Sequence, residues 1–160
     1  LAAFQNDYDD MIAWAPTSPN FWQPSNVSEA KIQGAEVSFA TVLSGWNVSG
    51  ALSYTNPENE ATGTTLARRA NRSAVIDLDR SWGPLHLGFT ASGKSSRFDD
   101  VANNDKIGGY GILDLRVAYE LSEALDINLK IENIFDKDYQ TSLDYNTPGV
   151  GFSLGLSYAL

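Results

Sequence analysis

Apolar and polar residues alternate with a period close to two along most of this chain. That is the repeat of extended strands whose successive side chains point to opposite sides of a sheet. The last stretch is the clearest: Phe152, Leu154, Leu156, Tyr158 and Leu160 alternate with Ser153, Gly155, Ser157 and Ala159. Upstream, Leu125, Ile127, Leu129 and Ile131 alternate with Asp126, Asn128, Lys130 and Glu132. Leu113, Leu115, Val117, Tyr119 and Leu121 alternate with Ile112, Asp114, Arg116, Ala118 and Glu120. Leu85, Leu87 and Phe89 oppose His86, Gly88 and Thr90, and Ala74, Ile76 and Leu78 oppose Asp77 and Asp79. Trp46, Val48, Leu52 and Tyr54 oppose Asn47, Ser49 and Ser53; Ala35, Val37, Phe39 and Leu43 oppose Gly34, Glu36 and Ser38. The first segment, around Phe4, Asn6, Tyr8, Met11 and Ile12, follows the pattern least well. The pattern predicts an all-β chain of about eight antiparallel strands, each near the ~9–11 residues a tilted membrane strand requires.

The connections alternate in length. Short ones fall at Leu43–Gly45, Ser81–Pro84 and Ser122–Ala124, and long ones at Ala15–Ala30, Asn56–Arg72, Lys94–Gly109 and Lys137–Val150. Pro16, Pro19, Pro24, Pro57, Gly63, Gly108, Gly109, Pro148 and Gly149 mark the long ones as turn-rich. Short turns on one rim and long loops on the other is the arrangement of outer-membrane barrels, whose short turns face the periplasm. A soluble barrel or sandwich also alternates. Against it stand the small and polar character of one face, suited to a wet lumen, and the aromatics near predicted strand ends. Trp14, Trp46, Tyr54, Trp82, Tyr119, Phe135, Tyr139 and Tyr158 would form interfacial girdles. In lipid every strand edge must be paired, so such a sheet either closes on itself as a small barrel or joins further strands.

Composition narrows the chemistry. The 160 residues are 42% apolar and 19% charged, an average that a barrel with a single apolar face shares with soluble domains. A formal charge of −9 makes nucleic acid a poor partner. With no cysteine and one histidine, thiol chemistry and multi-histidine metal sites are excluded within the chain. The chain opens inside a strand-like pattern with no basic leader, so an exported protein is expected here mature or as a fragment, and the start at Leu1 favours a fragment.

Several segments carry a family resemblance. IENIFDKDY (Ile131 to Tyr139) resembles the penultimate-strand signature of TonB-dependent receptors. NVSEAKIQGAEV (Asn26 to Val37), LARRANRS (Leu66 to Ser73) and GGYGILDLRVAYEL (Gly108 to Leu121) resemble further segments of that family, in its order and spacing. FDDVANNDKIGGY, LARRANRS and YNTPG are most similar to its cobalamin receptors, though siderophore and haem receptors share much of this pattern. The resemblance implies the C-terminal part of a larger transmembrane barrel over residues 1–160, with the family's N-terminal plug domain absent. It implies outer-membrane lipid and lipopolysaccharide as surroundings, TonB contact through the plug, and a cobalamin or siderophore ligand held by the long loops. It also implies recognition of the last strand by the barrel-assembly machinery, with Gly155, Leu156, Tyr158 and Leu160 in the signal positions. Val150 stands where the cobalamin members carry Arg, and Leu160 where the family ends in Phe or Trp.

Neither catalysis nor a cofactor is expected. The pairs Asp9–Asp10, Asp99–Asp100 and Asp136/Asp138 lack an Asp-x-Asp-x-Asp-Gly calcium loop, so solvated rim charges are the reading, with Asp136 and Asp138 shaping a strand end. His86 is expected on the polar face, hydrogen-bonded and without a Ser–Asp constellation, and no G-x-S-x-G elbow occurs. Arg68 and Arg69 are expected to meet an anionic ligand or lipopolysaccharide phosphate, or to pair with Glu58 and Glu60. Phe21, Trp22, Tyr145 and Asn146 offer loop aromatics and amides for ligand contact, or rim anchors in its absence. Alternatives to a receptor segment are a small closed structural or adhesin barrel, a truncated barrel serving as substrate of the assembly machinery, and an outer-membrane enzyme.

Overall fold

Alternating apolar and polar runs broken by turn residues leave a chain little choice but to pair strands, and in the computed structural model every regular element among the described residues is a strand. It describes residues 1–18 and 21–159. In chain order these form β1 (Ala2–Ser18), β2 (Phe21–Leu43), β3 (Trp46–Asn59) and β4 (Thr64–Thr65). Then come β5 (Arg72–Trp82), β6 (Leu85–Lys94), β7 (Arg97–Phe98), β8 (Lys106–Ile107) and β9 (Tyr110–Ser122). The last are β10 (Leu125–Glu132), β11 (Gln140–Ser142), β12 (Tyr145–Asn146) and β13 (Gly151–Tyr158). The eight long strands make one antiparallel sheet in the order β1-β2-β3-β5-β6-β9-β10-β13, each beside its predecessor among the long strands. This up-and-down sheet is open: β1 and β13 are its two edges, and β4 adds to the end of β3. β7–β8 and β11–β12 are two small ribbons in the long connections.

Register sorts the side chains into two surfaces. One row runs Phe152, Ile131, Leu115, Phe89, Leu78, Val48 and Thr41 across seven strands. The row on the other surface runs Ser153, Lys130, Arg116, Gly88, Asp79 and Asn47. The apolar surface is uncovered: Phe152, Leu154, Leu156 and Tyr158 are 82%, 72%, 70% and 68% exposed. In β2 it extends from Ala35 to Leu43. At ~3.3 Å per residue that is about 26 Å of strand, or about 20 Å across a bilayer at a ~40° tilt, close to the ~25 Å apolar band of a spanning barrel.

Turn chemistry explains the short rim. Ser44 and Gly45 both take positive φ, 51° and 80°, the two-residue hairpin geometry that matches strand twist. Gly83–Pro84 and Glu123–Ala124 make the other two short turns. Within the wall, Gly88 is glycine for space: a Cβ there would run into the Asp79 carboxylate and the Arg116 guanidinium.

The first strands depart from expectation. The segment Ala15–Ala30 is not a long loop; β1 and β2 continue as a paired ribbon out to Ser18 and Phe21. Its prolines suggested a loop because proline cannot donate to a ladder. Yet β3 pairs with β2 only from Ala30 to Leu43, so Pro24 sits where β2 has no second partner in the sheet, and Pro16 lies on the edge strand β1. The strands β1, β2 and β3 therefore have 17, 23 and 14 residues and overshoot the apolar band. Among the described residues, the buried apolar side chains of Ala30, Pro57, Leu66 and Ile107 all lie at this long-loop end.

Candidate functional site

Three long connections meet above the wall around one carboxylate. Arg68, held at a φ of 60°, donates its backbone N–H to Phe98 O at 2.6 Å. Its guanidinium grips Asp99 with both oxygens engaged, Nε to Oδ1 at 3.0 Å and Nη2 to Oδ2 at 3.2 Å. The same Asp99 Oδ1 accepts from Ser142 Oγ and from Leu143 N, each at 3.2 Å. Partial burial alone would raise the Asp99 carboxyl. The Arg68 hydrogen bonds and charge, with the Leu143 N–H and the Ser142 hydroxyl, outweigh it and hold the group below its ordinary 3.8. Asn103 adds a second tie, exchanging two 2.8 Å hydrogen bonds with the backbone of Thr65.

Beside this knot lies a cleft of about 470 Å³. It is lined by Met11, Ile12 and Trp14 of β1 and by Thr64, Leu66, Arg68, Arg69 and Val101, and Met11 packs against the Ala30–Leu66 cluster. Ile12 and Trp14 remain open to solvent. Apolar side chains together with hydroxyls and guanidinium groups suit an amphipathic solute.

The residues singled out from sequence are spread through this region. Arg68 and Arg69 are adjacent on the cleft, but Arg68 pairs with Asp99 and not with Glu58 or Glu60, and Glu60 takes Lys31 at 3.0 Å. Tyr145 is exposed on β12, and Asn146 accepts from Gln140 Nε2 at 2.9 Å; Asp99 ties their ribbon to Arg68. Phe21 stands exposed at the far tip of the β1–β2 ribbon, on a strand, and is not among the residues lining the cleft. The Trp22 backbone pairs with Pro16, and its side chain lies outside the described residues. Met11, Ile12 and Asp99 were not legible as site residues. The partners of Asp99 are 31 to 44 positions away, so nothing local signals its role.

On the polar face Arg116 reaches Asp79 at 3.0 Å and Asp77 at 3.6 Å and bonds Thr90, which itself donates to Asp77 at 2.6 Å. His86 is hydrogen-bonded as expected, but not without serine and acid neighbours. Ser81 Oγ lies 2.7 Å from Nδ1 and Glu120 Oε1 2.8 Å from Nε2. The three resemble a hydrolytic triad only in connectivity. Hydrolysis needs donors preorganised for an oxyanion in a water-excluded site, whereas the His86 and Glu120 side chains are 43% and 55% exposed on an open sheet face. Their evident effect is to cross-link β5, β6 and β9.

At the short-turn rim, on the apolar face, the Trp46 and Trp82 rings meet edge to face at 5.4 Å. The Arg80 guanidinium lies 4.6 Å from the Trp82 ring and donates to Ser44 O at 2.9 Å. Tyr119 and Tyr158 continue the ring of aromatics on this rim. The IENIFDKDY segment proves to be a turn staple: Asn133, 3% exposed, donates to Lys137 O and accepts from Lys137 N. Its backbone N–H binds Asp114, and Asp136 Oδ1 accepts from Val150 N at 2.8 Å. Gly155, Leu156 and Tyr158 lie on β13, with Leu156 and Tyr158 on the apolar face; Leu160 lies outside the described residues.

Comparison with known proteins adds three findings. Residues 1–134 match the family described as TonB dependent receptor-like, beta-barrel. The vitamin B12 transporter BtuB of Photobacterium profundum is 33% identical over 152 residues, covering 91% of this chain and 25% of the transporter. The chain thus spans about a quarter of that relative's length. Among solved structures, the siderophore receptor PiuA from Acinetobacter baumannii superposes with a TM-score of 0.80 at 20% identity, over 98% of this chain and 25% of PiuA. The copper transporter OprC gives 0.81 at 19% identity, over 98% and 28%. These two likenesses show a shared barrel-wall fold.

Proposed function

The chain belongs to the TonB-dependent receptor β-barrel family, and from that premise we propose that it is a wall segment of an outer-membrane receptor importing cobalamin or a similarly bulky nutrient. The family is one of receptors and transporters, not of enzymes. The observation that carries the substrate is the 33% identity to a vitamin B12 transporter over nearly the whole chain. The uncovered apolar surface would meet lipid, and the long-loop end would face the medium near lipopolysaccharide.

In this reading the nutrient docks among the long loops, with Arg68, Arg69, Tyr145, Asn146, Phe21 and Trp22 offering contacts around the cleft and the ribbon tip. The apolar flank at Ile12 and Trp14 would take a flat organic ring. Import energy would come from TonB through a plug domain of the same receptor. The alternating β13, with Gly155, Leu156 and Tyr158 followed by Leu160, would present the strand that the barrel-assembly machinery reads. The test is equilibrium dialysis of cyanocobalamin against the detergent-solubilised full-length gene product. Saturable binding at about micromolar ligand (a free energy near −8 kcal/mol) supports the assignment. No binding there, or displacement only by a ferric siderophore, sinks the cobalamin reading and leaves the family membership intact.

A further inference from the structure

Just below the loop knot, on the polar side of the sheet, a second cleft of about 370 Å³ is lined by Arg68, Arg69, Lys94 and Arg97 and by no carboxylate. In a chain of net charge −9 this is an unusual concentration of positive charge. Asp99 neutralises Arg68. Among the described residues no acid pairs with Arg69, Lys94 or Arg97.

Arg97 is the most buried of these cations. It is 5% exposed. Its Nη2 donates to Gln140 O at 2.8 Å, and its guanidinium carbon lies 5.9 Å from the centre of the Tyr110 ring, which packs against Tyr139. Its Nη1 is buried with no hydrogen-bond partner. A guanidinium stays protonated at any ordinary pH, so it cannot relieve burial by losing its charge. A buried cation without an anion is costly, and a fixed guanidinium fork matches an oxyanion. Ser73, Thr141 and Tyr110 bring hydroxyls to the same space, while the Ser53 and Thr55 hydroxyls donate to Glu36 and to Ala70 O.

We infer that Arg69, Lys94 and Arg97 form a binding site for the phosphate or carboxylate group of a small solute. This goes beyond the uptake reading and does not depend on which nutrient is imported. Of the three cations only Arg69 also borders the Trp14 cleft, so loss at Lys94 separates this site from that one.

The experiment is calorimetric titration of the full-length gene product in detergent with inorganic phosphate and, separately, acetate, at fixed ionic strength. Saturable binding of either is expected. K94Q and R69Q should each weaken it by roughly tenfold, the loss of one charge-assisted hydrogen bond, while K106Q outside the cleft leaves it unchanged. The tighter of the two anions names the group the site takes. R97Q should abolish binding; heat-modifiable migration on gels checks that it still folds, and K94Q and R69Q decide the matter if it does not. Absence of binding to the wild type, or binding that survives in the R69Q/K94Q double variant, overturns the inference and passes the buried guanidinium to a carboxylate supplied from elsewhere in the barrel.

Discussion

The wall and the long-loop end of this sheet are stabilised in opposite ways. In the wall, Phe152, Leu154 and Leu156 stand open on one side while Arg116, Asp77 and Asp79 pair on the other. Among the described residues no buried apolar core lies there; the backbone ladder and a lipid solvent would carry the stability. At the loop end the order is reversed. Leu66, Ile107 and Ala30 are buried, and a few long-range polar ties, chiefly Arg68–Asp99 and Asn103–Thr65, hold connections far apart in sequence. Repetition secures the first region and a handful of particular residues secures the second. The proposed receptor role would use both, since a rigid repeat can carry variable loops whose individual contacts set a ligand.

The strongest test of that contrast inserts one charge on each side of the wall. Leu78 lies midway along β5, in register with Val48 and Phe89 on the apolar face. Leu78→Arg should destabilise the folded barrel in phospholipid vesicles by about 2–4 kcal/mol, the cost of a cation near the bilayer midplane. Ser49, in register with Asp77 on the polar face, should accept Arg for less than about 1 kcal/mol. Urea titrations of both variants in the same vesicles give the comparison. Equal costs would mean that the apolar face does not meet lipid.

The loop end should respond to one carboxylate. Asp99→Asn removes the ion pair and weakens the acceptor for Ser142 and Leu143. Because the Arg68 side chain is 60% exposed, the expected cost is at most about 1 kcal/mol. It should appear as faster proteolysis between residues 137 and 150, with the wall unchanged. The pH dependence follows from sign. The folded Asp99 carboxyl lies below its ordinary 3.8, so its contribution is complete above that value and fades as pH falls through the lower folded value. Wild-type loops should therefore stay protected down to about pH 4, and D99N should remove whatever change occurs below it. Loops that loosen between pH 7 and 5 in the wild type would refute the assignment to Asp99.

Sequence reading succeeded where the physics is local and periodic. The two faces, the eight long strands and the three short turns followed from a period of two and from pairs such as Ser44–Gly45. It failed at Ala15–Ala30, where prolines on unpartnered edges mimic a loop. It also failed at Arg68, whose partner came from the next long connection and not from the nearby Glu58 or Glu60. Asn133 marks the boundary between the two cases. Its motif is recognisable, but nothing in the motif says that its amide closes a turn on Lys137. Long-range polar ties between loops leave no periodic trace.

The smallest effect probes the edge of the wall. Arg80 falls in register with Leu87 on the apolar face, an unfavourable place for a cation at bilayer depth. Its guanidinium instead reaches toward the short-turn rim, over Trp82 and onto Ser44 O. A long stem on apolar surface with its charge at the headgroup level is the behaviour expected of an interfacial arginine. Arg80→Gln should cost about 0.5–1 kcal/mol in vesicles, the worth of an exposed cation–π contact. The cost should grow when anionic lipid is added and fall back to the worth of that contact in zwitterionic detergent, because an anionic headgroup layer adds to what the cation gains from Trp82 and Ser44. Leu78→Arg, deeper in the band, should show the opposite response, staying costly whatever the headgroup. An R80Q penalty that does not grow with anionic lipid would place Arg80 away from the headgroups and move the rim of the membrane band away from Trp46 and Trp82.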